Sequence, residues 1–259
     1  KMEKRGLDNE MPIGRIKIRN VERGVSYPEE ENFLNIPAWS RGAKPYDQLS
    51  PFKIGPVTFG DKECPTFETF WQAQKVWKKV SAQKSWQWTW KSETHVDEEE
   101  NPNENWHIWH EALLKNKHAV RRPNGRNIPL YAWWHGKKLG IVEARKEIYI
   151  PYLQTLYRAH PVYKKLYKLV VEEGKNICIL EPDGPKHWLF ENGAELDLET
   201  LYALQNVTEL KDFPGLTDDQ TKTLESGKRY VPYGHGYVLA LTLLEDSQKS
   251  HKKIKIIDA

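Results

Sequence analysis

Residues 56–75 carry the stretch that decides the fold, PVTFGDKECPTFETFWQAQK. Its first residues lead into Gly60 and Asp61, which predicts a short strand that ends in a turn. Thr66 follows, and a threonine side chain that accepts from a backbone N–H is a preferred start of a helix. We therefore predict a strand, a turn and then a helix from about Thr66 to Val80.

The predicted helix carries a carboxylate, an amide and an amine at Glu68, Gln72 and Lys75. With 3.6 residues per turn, Glu68 and Lys75 project from nearly the same face, about 10 Å apart along the axis. That separation suits an acid and an amine that flank a ligand, since a lysine in a partly apolar pocket can act as a nucleophile. An ordinary solvated helix face has the same spacing, so spacing alone leaves both interpretations open.

The composition is typical of a folded globular protein. The 259 residues are 39% hydrophobic and 29% charged, with a net charge of +3, which allows a nucleic-acid partner without requiring one. The 11 Trp and 12 Tyr suit a pocket that stacks flat rings. Walker, GxSxG, HExxH and GxGxxG motifs are absent, so kinase, serine hydrolase, zinc protease and dinucleotide oxidoreductase functions lack support.

Cysteine usage and hydropathy bear on the compartment. Cys64 and Cys178 lie far apart, with no CxxC or histidine pairing, so we expect reduced thiols and no zinc site. No apolar run reaches the length of a membrane span, and no signal peptide begins the sequence. We therefore expect an intracellular protein, cytoplasmic or nuclear, without a membrane partner; the oligomeric state stays open.

The pattern of elements predicts a mainly α class (α+β), a single compact helical domain with a few short strands. We expect an N-terminal extension at 1–45, the domain at 46–248 and a C-terminal tail at 249–259. An acidic loop insertion is expected near 81–105, because the run DEEENPNEN at 97–105 is charged and broken by proline, while helical patterns resume on both sides of it.

Three other segments carry candidate chemistry, each with a plainer alternative. Asp183 lies in a Pro-Asp-Gly-Pro turn after a predicted buried strand, where a catalytic carboxylate and an ordinary β-turn are both expected. The glycines on either side of His235 leave backbone N–H groups open to a phosphate, although a tight turn is the more frequent reason for them. Arg121, Arg122 and Arg126 form a basic loop, either a phosphate clamp or a solvated loop.

Taken together, these segments resemble the NADAR family. Residues 57–75 match its hallmark, a short strand, a Pro-Thr-hydrophobic-Glu helix start and a Gln-Ala-Gln-Lys run. Residues 50–52 are similar to its upstream Ser-aromatic segment, 181–185 to its Asp-bearing turn and 234–240 to its Gly-rich helix start. The resemblance extends over about residues 46–245 and is densest in the hallmark.

The resemblance implies an N-glycosidase that removes ADP-ribose from guanine bases of nucleic acid, without a metal or cofactor. It implies an acidic catalyst at Glu68, an amine at Lys75 and a second carboxylate at Asp183. The substrate contacts that we expect come from a wider set: Ser50, Phe52, Trp71, Gln72, Gly184, Gly234, His235 and Gly236.

Three departures from the family pattern, one of which is the long insertion at 81–105, bear on the substrate more than on the reaction class. Thr69 stands where the family has a histidine, and no Trp-Gly pair follows Asp183. The alternatives are a non-catalytic ADP-ribose-binding module and an N-glycosidase for a phosphoribosyl-pyrimidine of the riboflavin-pathway type. A DNA-binding protein that uses tryptophan and arginine is a third alternative, which the small net charge disfavours.

Overall fold

A computed structural model describes residues 12–22, 25–183, 193–209, 212 and 233–257. Its strands are β1 Ile16–Asn20, β2 Leu34–Ile36, β3 Val57–Phe59, β4 Lys62–Cys64, β5 Lys75–Val76, β6 Lys79–Val80, β7 Gln83–Lys84, β8 Thr89–Trp90, β9 Glu93–Thr94, β10 Tyr131–Trp134, β11 Lys137–Leu139, β12 Ile177–Glu181 and β13 Ala194–Glu195. Its α-helices are α1 Phe67–Ala73, α2 Glu104–Leu114, α3 Ile141–Ala144, α4 Ile150–Ala159, α5 Pro161–Tyr167, α6 Leu198–Gln205 and α7 His235–Ile257. One 3-10 turn, Tyr46–Leu49, and two π-helical turns, Arg145–Tyr149 and Lys168–Glu172, complete the helical set of the described residues.

A four-stranded sheet in the order β13-β1-β12-β2 joins segments far apart in the sequence. β12 pairs in parallel with β1 and β2, while β13 is antiparallel to β1. Ile18 faces Ile179 across the parallel pair, and both are fully buried. Strands from the stretch 12–45 therefore form part of this sheet, with β1 at an interior position.

The prediction of a mainly α, helical domain is wrong, because the structure is 38% helical and 20% strand, a mixed α/β fold. The misreading has a physical reason. Eight of the strands lie away from the main sheet and are only two or three residues long, too short to show an alternating pattern. The parallel pairs unite segments that local sequence gives no reason to join.

The strand, turn and helix cap predicted at 57–66 are confirmed. β3 and β4 form an antiparallel hairpin around Gly60, and the Thr66 hydroxyl accepts the backbone N–H of Thr69 at 3.4 Å. The predicted end of the helix at Val80 is wrong. α1 ends at Ala73, and Lys75 begins β5, where it lies opposite Ala132 of β10. Pairing with β10 replaces the helical hydrogen bonds that a longer helix would need.

The segment expected as an acidic insertion is folded onto the protein. β6 pairs with β9, and between them β7 and β8 form a hairpin. The acidic run closes on itself, since the Asp97 carboxylate accepts the N–H groups of Glu99 at 3.0 Å and Asn101 at 2.8 Å. The asparagine at position 103 then caps α2.

Helix α7 and the aromatic core hold these parts together. α7 packs on β1, β12 and α4, and it continues without interruption through residues 249–257. Phe67 and Phe70 of α1 meet Tyr149 and Tyr152 at ring-centroid distances of 5.2 and 4.9 Å. α1 is therefore fixed against the helical layer. Within the described residues, we find no helix with the length and apolarity that a membrane crossing demands.

Candidate functional site

The first turn of α1 places Glu68 beside residues 50–54. The first N–H groups of a helix have no partner within it, and here they are bound by the preceding chain. Phe67 donates to the carbonyl of Ile54, and Glu68 donates to the carbonyl of Pro51, both at 2.9 Å. This pairing holds residues 50–54 against the start of α1, and Ser50, Phe52 and Glu68 line one cavity.

A short chain of side-chain hydrogen bonds connects Glu68, Gln72 and Lys75. The Gln72 amide donates from Nε2 to Glu68 Oε1 at 2.9 Å. The Lys75 ammonium donates from Nζ to Gln72 Oε1, also at 2.9 Å, and lies 5.2 Å from the centre of the Trp71 ring. The amide holds the acid and the amine in one orientation, although they stand on different secondary-structure elements.

Burial shifts both ionisable groups of this chain toward their neutral forms. Desolvation raises the pKa of Glu68, against the hydrogen bond from Gln72 and the charges of Lys75 and Arg121. Desolvation also lowers the pKa of Lys75 to about 8, against the attraction of Glu68. The pair can therefore present a protonated acid and a neutral amine at pH values where a free glutamate and a free lysine are both charged.

Asp183 reaches the same place from the end of β12. Its Oδ1 lies 3.7 Å from the Arg121 guanidinium, and about half of its side chain is exposed. Asp183 and Glu68 line the same two cavities, and the negative charge of Asp183 adds to the rise in the pKa of Glu68. The structure thus brings together the three residues expected to carry the chemistry.

Glu181 fixes the turn that carries Asp183. Its side chain is completely buried; Oε1 accepts the N–H of Asp183 at 2.7 Å and Oε2 accepts the N–H of Gly236. A side chain at Gly234 would collide with the Asp183 carbonyl, and a Cβ at Gly236 would lie 2.6 Å from Glu181 Oε2. These two positions exclude larger residues because the carboxylate and its turn occupy the space.

Two cavities meet at Glu68, and both are also lined by Arg121, Tyr149, Asp183 and Gly234. The first, which we call the cationic lobe, measures about 510 Å³. The second, the aromatic lobe, measures about 850 Å³. Besides the shared residues, the cationic lobe is lined by Trp71, Gln72, Lys75, Trp77, Arg122, Arg126 and Arg145 among others, and the aromatic lobe by Trp39, Arg41, Ser50, Phe52, Trp86, Gln87 and His235 among others.

The expected substrate-binding residues divide between these lobes. Trp71 and Gln72 lie in the cationic lobe, Ser50, Phe52 and His235 lie in the aromatic lobe, and Gly234 lines both. Gly236 lines neither, and its N–H is bound by Glu181. His235 is held by its ring, since Nε2 is 2.8 Å from the carbonyl of Ala38. Gly184 lies outside the described residues.

Two site residues were not anticipated from the sequence, Glu181 and Tyr149. Glu181 could have been found from the sequence, because it is a carboxylate that directly follows the buried run 177–180. No sequence pattern indicated Tyr149, because it lies in a π-helical turn that interrupts the helix. Arg145 also lines the cationic lobe, but its Nη1 donates to the carbonyls of Leu204, Gln205 and Val207. Arg145 therefore stabilises the wall of the cationic lobe through these hydrogen bonds.

No group of three or more histidine, cysteine, aspartate or glutamate side chains suited to a metal ion occurs in the part of the chain that the structure describes. Comparison of the chain with protein-family models, with curated proteins and with solved structures found no match. The site is therefore interpreted from its own geometry.

Proposed function

We propose that this protein is an N-glycosidase, similar to the NADAR family, that removes ADP-ribose from guanine bases of nucleic acid. The observation that carries the proposal is the Glu68–Gln72–Lys75 chain of hydrogen bonds, with Asp183 on the same cavity. A carboxylic acid and an amine, both shifted toward their neutral forms, can serve as the general acid and the nucleophile in cleavage at an anomeric carbon.

In the proposed reaction, protonated Glu68 gives its proton to the leaving guanine nitrogen as the bond breaks between that nitrogen and C1′, by which we mean the anomeric carbon of the attached ADP-ribose and not that of the nucleotide's own sugar. The neutral Lys75 amine forms a bond to C1′ and passes its surplus proton to the Glu68 carboxylate. Glu68 then protonates the ring oxygen, the bond from C1′ to that oxygen breaks, and the nitrogen lone pair forms an imine. Water adds to C1′ and displaces the amine, which releases ADP-ribose and restores Lys75 and protonated Glu68.

The charges of the cationic lobe favour a diphosphate as the group attached to the ribose. Arg121, Arg122 and Arg126 line it, and guanidinium groups bind phosphate oxygens in pairs. Trp71, which is half-buried in the same lobe, offers a flat ring to a purine. Two lobes of about 510 and 850 Å³ on either side of Glu68 also suit a ligand with a large group on each side of its ribose, whereas a phosphoribosyl-pyrimidine has a single ring on one side and a single phosphate on the other.

The lowered pKa of Lys75 argues against a module that only binds ADP-ribose. A binder gains from a lysine that stays charged beside a diphosphate, whereas desolvation here makes the charged form less favourable. With a pKa of about 8, Lys75 is a neutral amine in about a tenth of the protein molecules at pH 7. That population is useful to a nucleophile and of no use to a clamp.

The test is incubation with an oligonucleotide that carries ADP-ribosylated guanine, beside a phosphoribosyl-pyrimidine, with the released sugar measured by mass spectrometry. We expect release of ADP-ribose from the oligonucleotide and little from the pyrimidine. Release from the pyrimidine alone would replace the proposed substrate. Tight ADP-ribose binding without release, unchanged in Glu68→Gln, would establish the non-catalytic module instead.

A further inference from the structure

Among the residues that the structure describes, Trp86 is the tryptophan with the most exposed side chain. It is 77% exposed and lines the aromatic lobe. It stands in the turn between β7 and β8, where Gln83 pairs with Trp90 and Lys84 pairs with Thr89. A single exposed apolar ring is ordinary on a protein surface, but Trp86 stands on the wall of a cavity that Glu68 also lines, where its ring can stack on a flat ligand.

The turn that carries Trp86 is held in place by several hydrogen bonds. The Ser85 hydroxyl accepts the N–H groups of Gln87 at 3.3 Å and of Trp88 at 3.0 Å. Asn116, just beyond α2, donates to the Gln87 carbonyl at 2.8 Å. The Trp86 ring also has an edge contact with His118 at 5.3 Å. Because the turn is already ordered, a ligand that stacks on Trp86 loses little affinity to the ordering of the protein.

The aromatic lobe runs from Trp86 to the reacting groups. Its acidic lining residues, among those the structure describes, are Glu68 and Asp183, at the end shared with the cationic lobe. Trp39 and Arg41 line the remaining wall together with Trp86. Flat rings beside a guanidinium, continuous with the place where C1′ must lie, match a nucleobase and its phosphate.

We infer that the aromatic lobe binds the nucleic-acid strand that bears the modified guanine, with an unpaired base of that strand stacked on Trp86. The inference rests on the proposed function, since the sugar at Glu68 fixes where the strand begins. A base in a duplex is stacked on its neighbours and cannot lie against a protein ring. The preferred substrate is therefore single-stranded.

The first experiment compares kcat/KM for ADP-ribosylated guanine in a single-stranded oligonucleotide and in a mononucleotide. Loss of one base–aromatic stack costs roughly 10-fold in binding, so we expect Trp86→Ala to lower the ratio of the two kcat/KM values by about that factor. Trp86→Phe, which keeps a ring, should retain most of the ratio. Tyr202→Ala, at an exposed aromatic residue that lines neither lobe, is the matched control. An unchanged ratio in Trp86→Ala would overturn the inference.

The second experiment measures binding of unmodified, fluorescein-labelled oligonucleotide by anisotropy, and it is independent of turnover. We expect the single strand to bind more tightly than its duplex, and Trp86→Ala to weaken the single strand about 10-fold. Equal affinity of wild type and Trp86→Ala for the single strand would overturn the inference. Absence of turnover on every substrate, together with Trp86-dependent binding, would instead remove the proposed function and leave the strand site.

Discussion

Glu68 and Glu181 are both buried glutamates near a basic side chain, and their surroundings give them opposite roles. Glu181 is 0% exposed, and both its oxygens accept backbone N–H groups. Glu68 is 8% exposed and lines both lobes; its Oε1 accepts from Gln72, and its Oε2 accepts no hydrogen bond from any residue that the structure describes. Saturation by backbone groups identifies a carboxylate that supports the chain. A carboxylate with an oxygen that is not hydrogen-bonded and lines a cavity can instead act on a ligand.

The largest effect is expected at the amine that Glu68 faces. Lys75→Ala removes the proposed nucleophile, so turnover of the ADP-ribosylated oligonucleotide should fall at least about 1,000-fold. Lys78→Ala, three residues along the chain and exposed, is the control and should keep wild-type turnover. Retention of more than a tenth of the activity in Lys75→Ala would exclude the amine mechanism.

Stability should move in the other direction when Lys75 is replaced by an apolar residue of similar length. The folded-state pKa of Lys75, about 8, lies below the ordinary value of 10.5, so the unfolded chain binds more protons between those pH values. Stability attributable to this group therefore rises from about pH 8 to about pH 10.5 and is lowest below that window. At pH 7, Lys75→Met should melt at or above the wild-type temperature, as measured by thermal scans; a clear loss of stability would mark Lys75 as structural.

The next effect is expected for the acid itself. Glu68→Gln keeps the size of the side chain and removes the transferable proton, so kcat should fall by about 100-fold or more. Burial disfavours the charged carboxylate, so the free energy of unfolding should stay equal or rise. Circular-dichroism melts beside the kinetics separate these outcomes. A folded, fully active Glu68→Gln enzyme would move the acid to Asp183.

A smaller effect is expected from pH alone. The rate requires neutral Lys75 and protonated Glu68, so kcat/KM should rise about tenfold per pH unit on the acidic side and fall by the same factor on the alkaline side. The acidic limb follows the amine as it loses its proton, and the alkaline limb follows the acid as it loses its own. A plateau separates the two limbs when the pKa of the acid lies below that of the amine, so measurements from about pH 4 to about pH 10 are needed to test this. A flat profile contradicts a shared role for the two groups.

The smallest effect on chemistry, and the largest on stability, is expected at Glu181. Glu181→Gln places an amide NH₂ against one of the two backbone N–H groups that the carboxylate accepts, so the free energy of unfolding should fall by about 2–3 kcal/mol. The folded fraction should lose less than about 10-fold in kcat. Urea titration measures the loss of stability, and kinetic assays of the folded protein measure the change in kcat. Loss of turnover without loss of stability would make Glu181 a reacting group as well.

The local features of this fold were predictable from sequence, whereas the long-range ones were not. The Thr66 cap and the strand and turn before it depend on neighbouring residues, and the structure confirms them. The second strand of that hairpin, β4, was not predicted. The end of α1 depends on β10, more than fifty residues away in the chain, and the central sheet depends on β12. Neither partner can be inferred from the local pattern of the segment it pairs with.

The site shows the same division. The contact between Glu68 and Gln72 is an ordinary i,i+4 pair, which helical spacing predicts. Lys75 lies beside them for a different reason from the predicted one, because β5 carries it toward the Gln72 amide. The approach of Asp183 to Arg121, and the backbone bonds that hold its turn, arise only when β12 and α7 come together.

Chemical trapping tests the central claim, that Lys75 forms an imine with the ribose of the substrate. Wild-type protein would be mixed with ADP-ribosylated guanine oligonucleotide and sodium borohydride, then digested and analysed by mass spectrometry. We predict a reduced ADP-ribose adduct on the peptide that contains Lys75, and no adduct in Lys75→Ala or without the reductant. Turnover by the wild type with no adduct at Lys75, or with an adduct at another lysine, would contradict the claim.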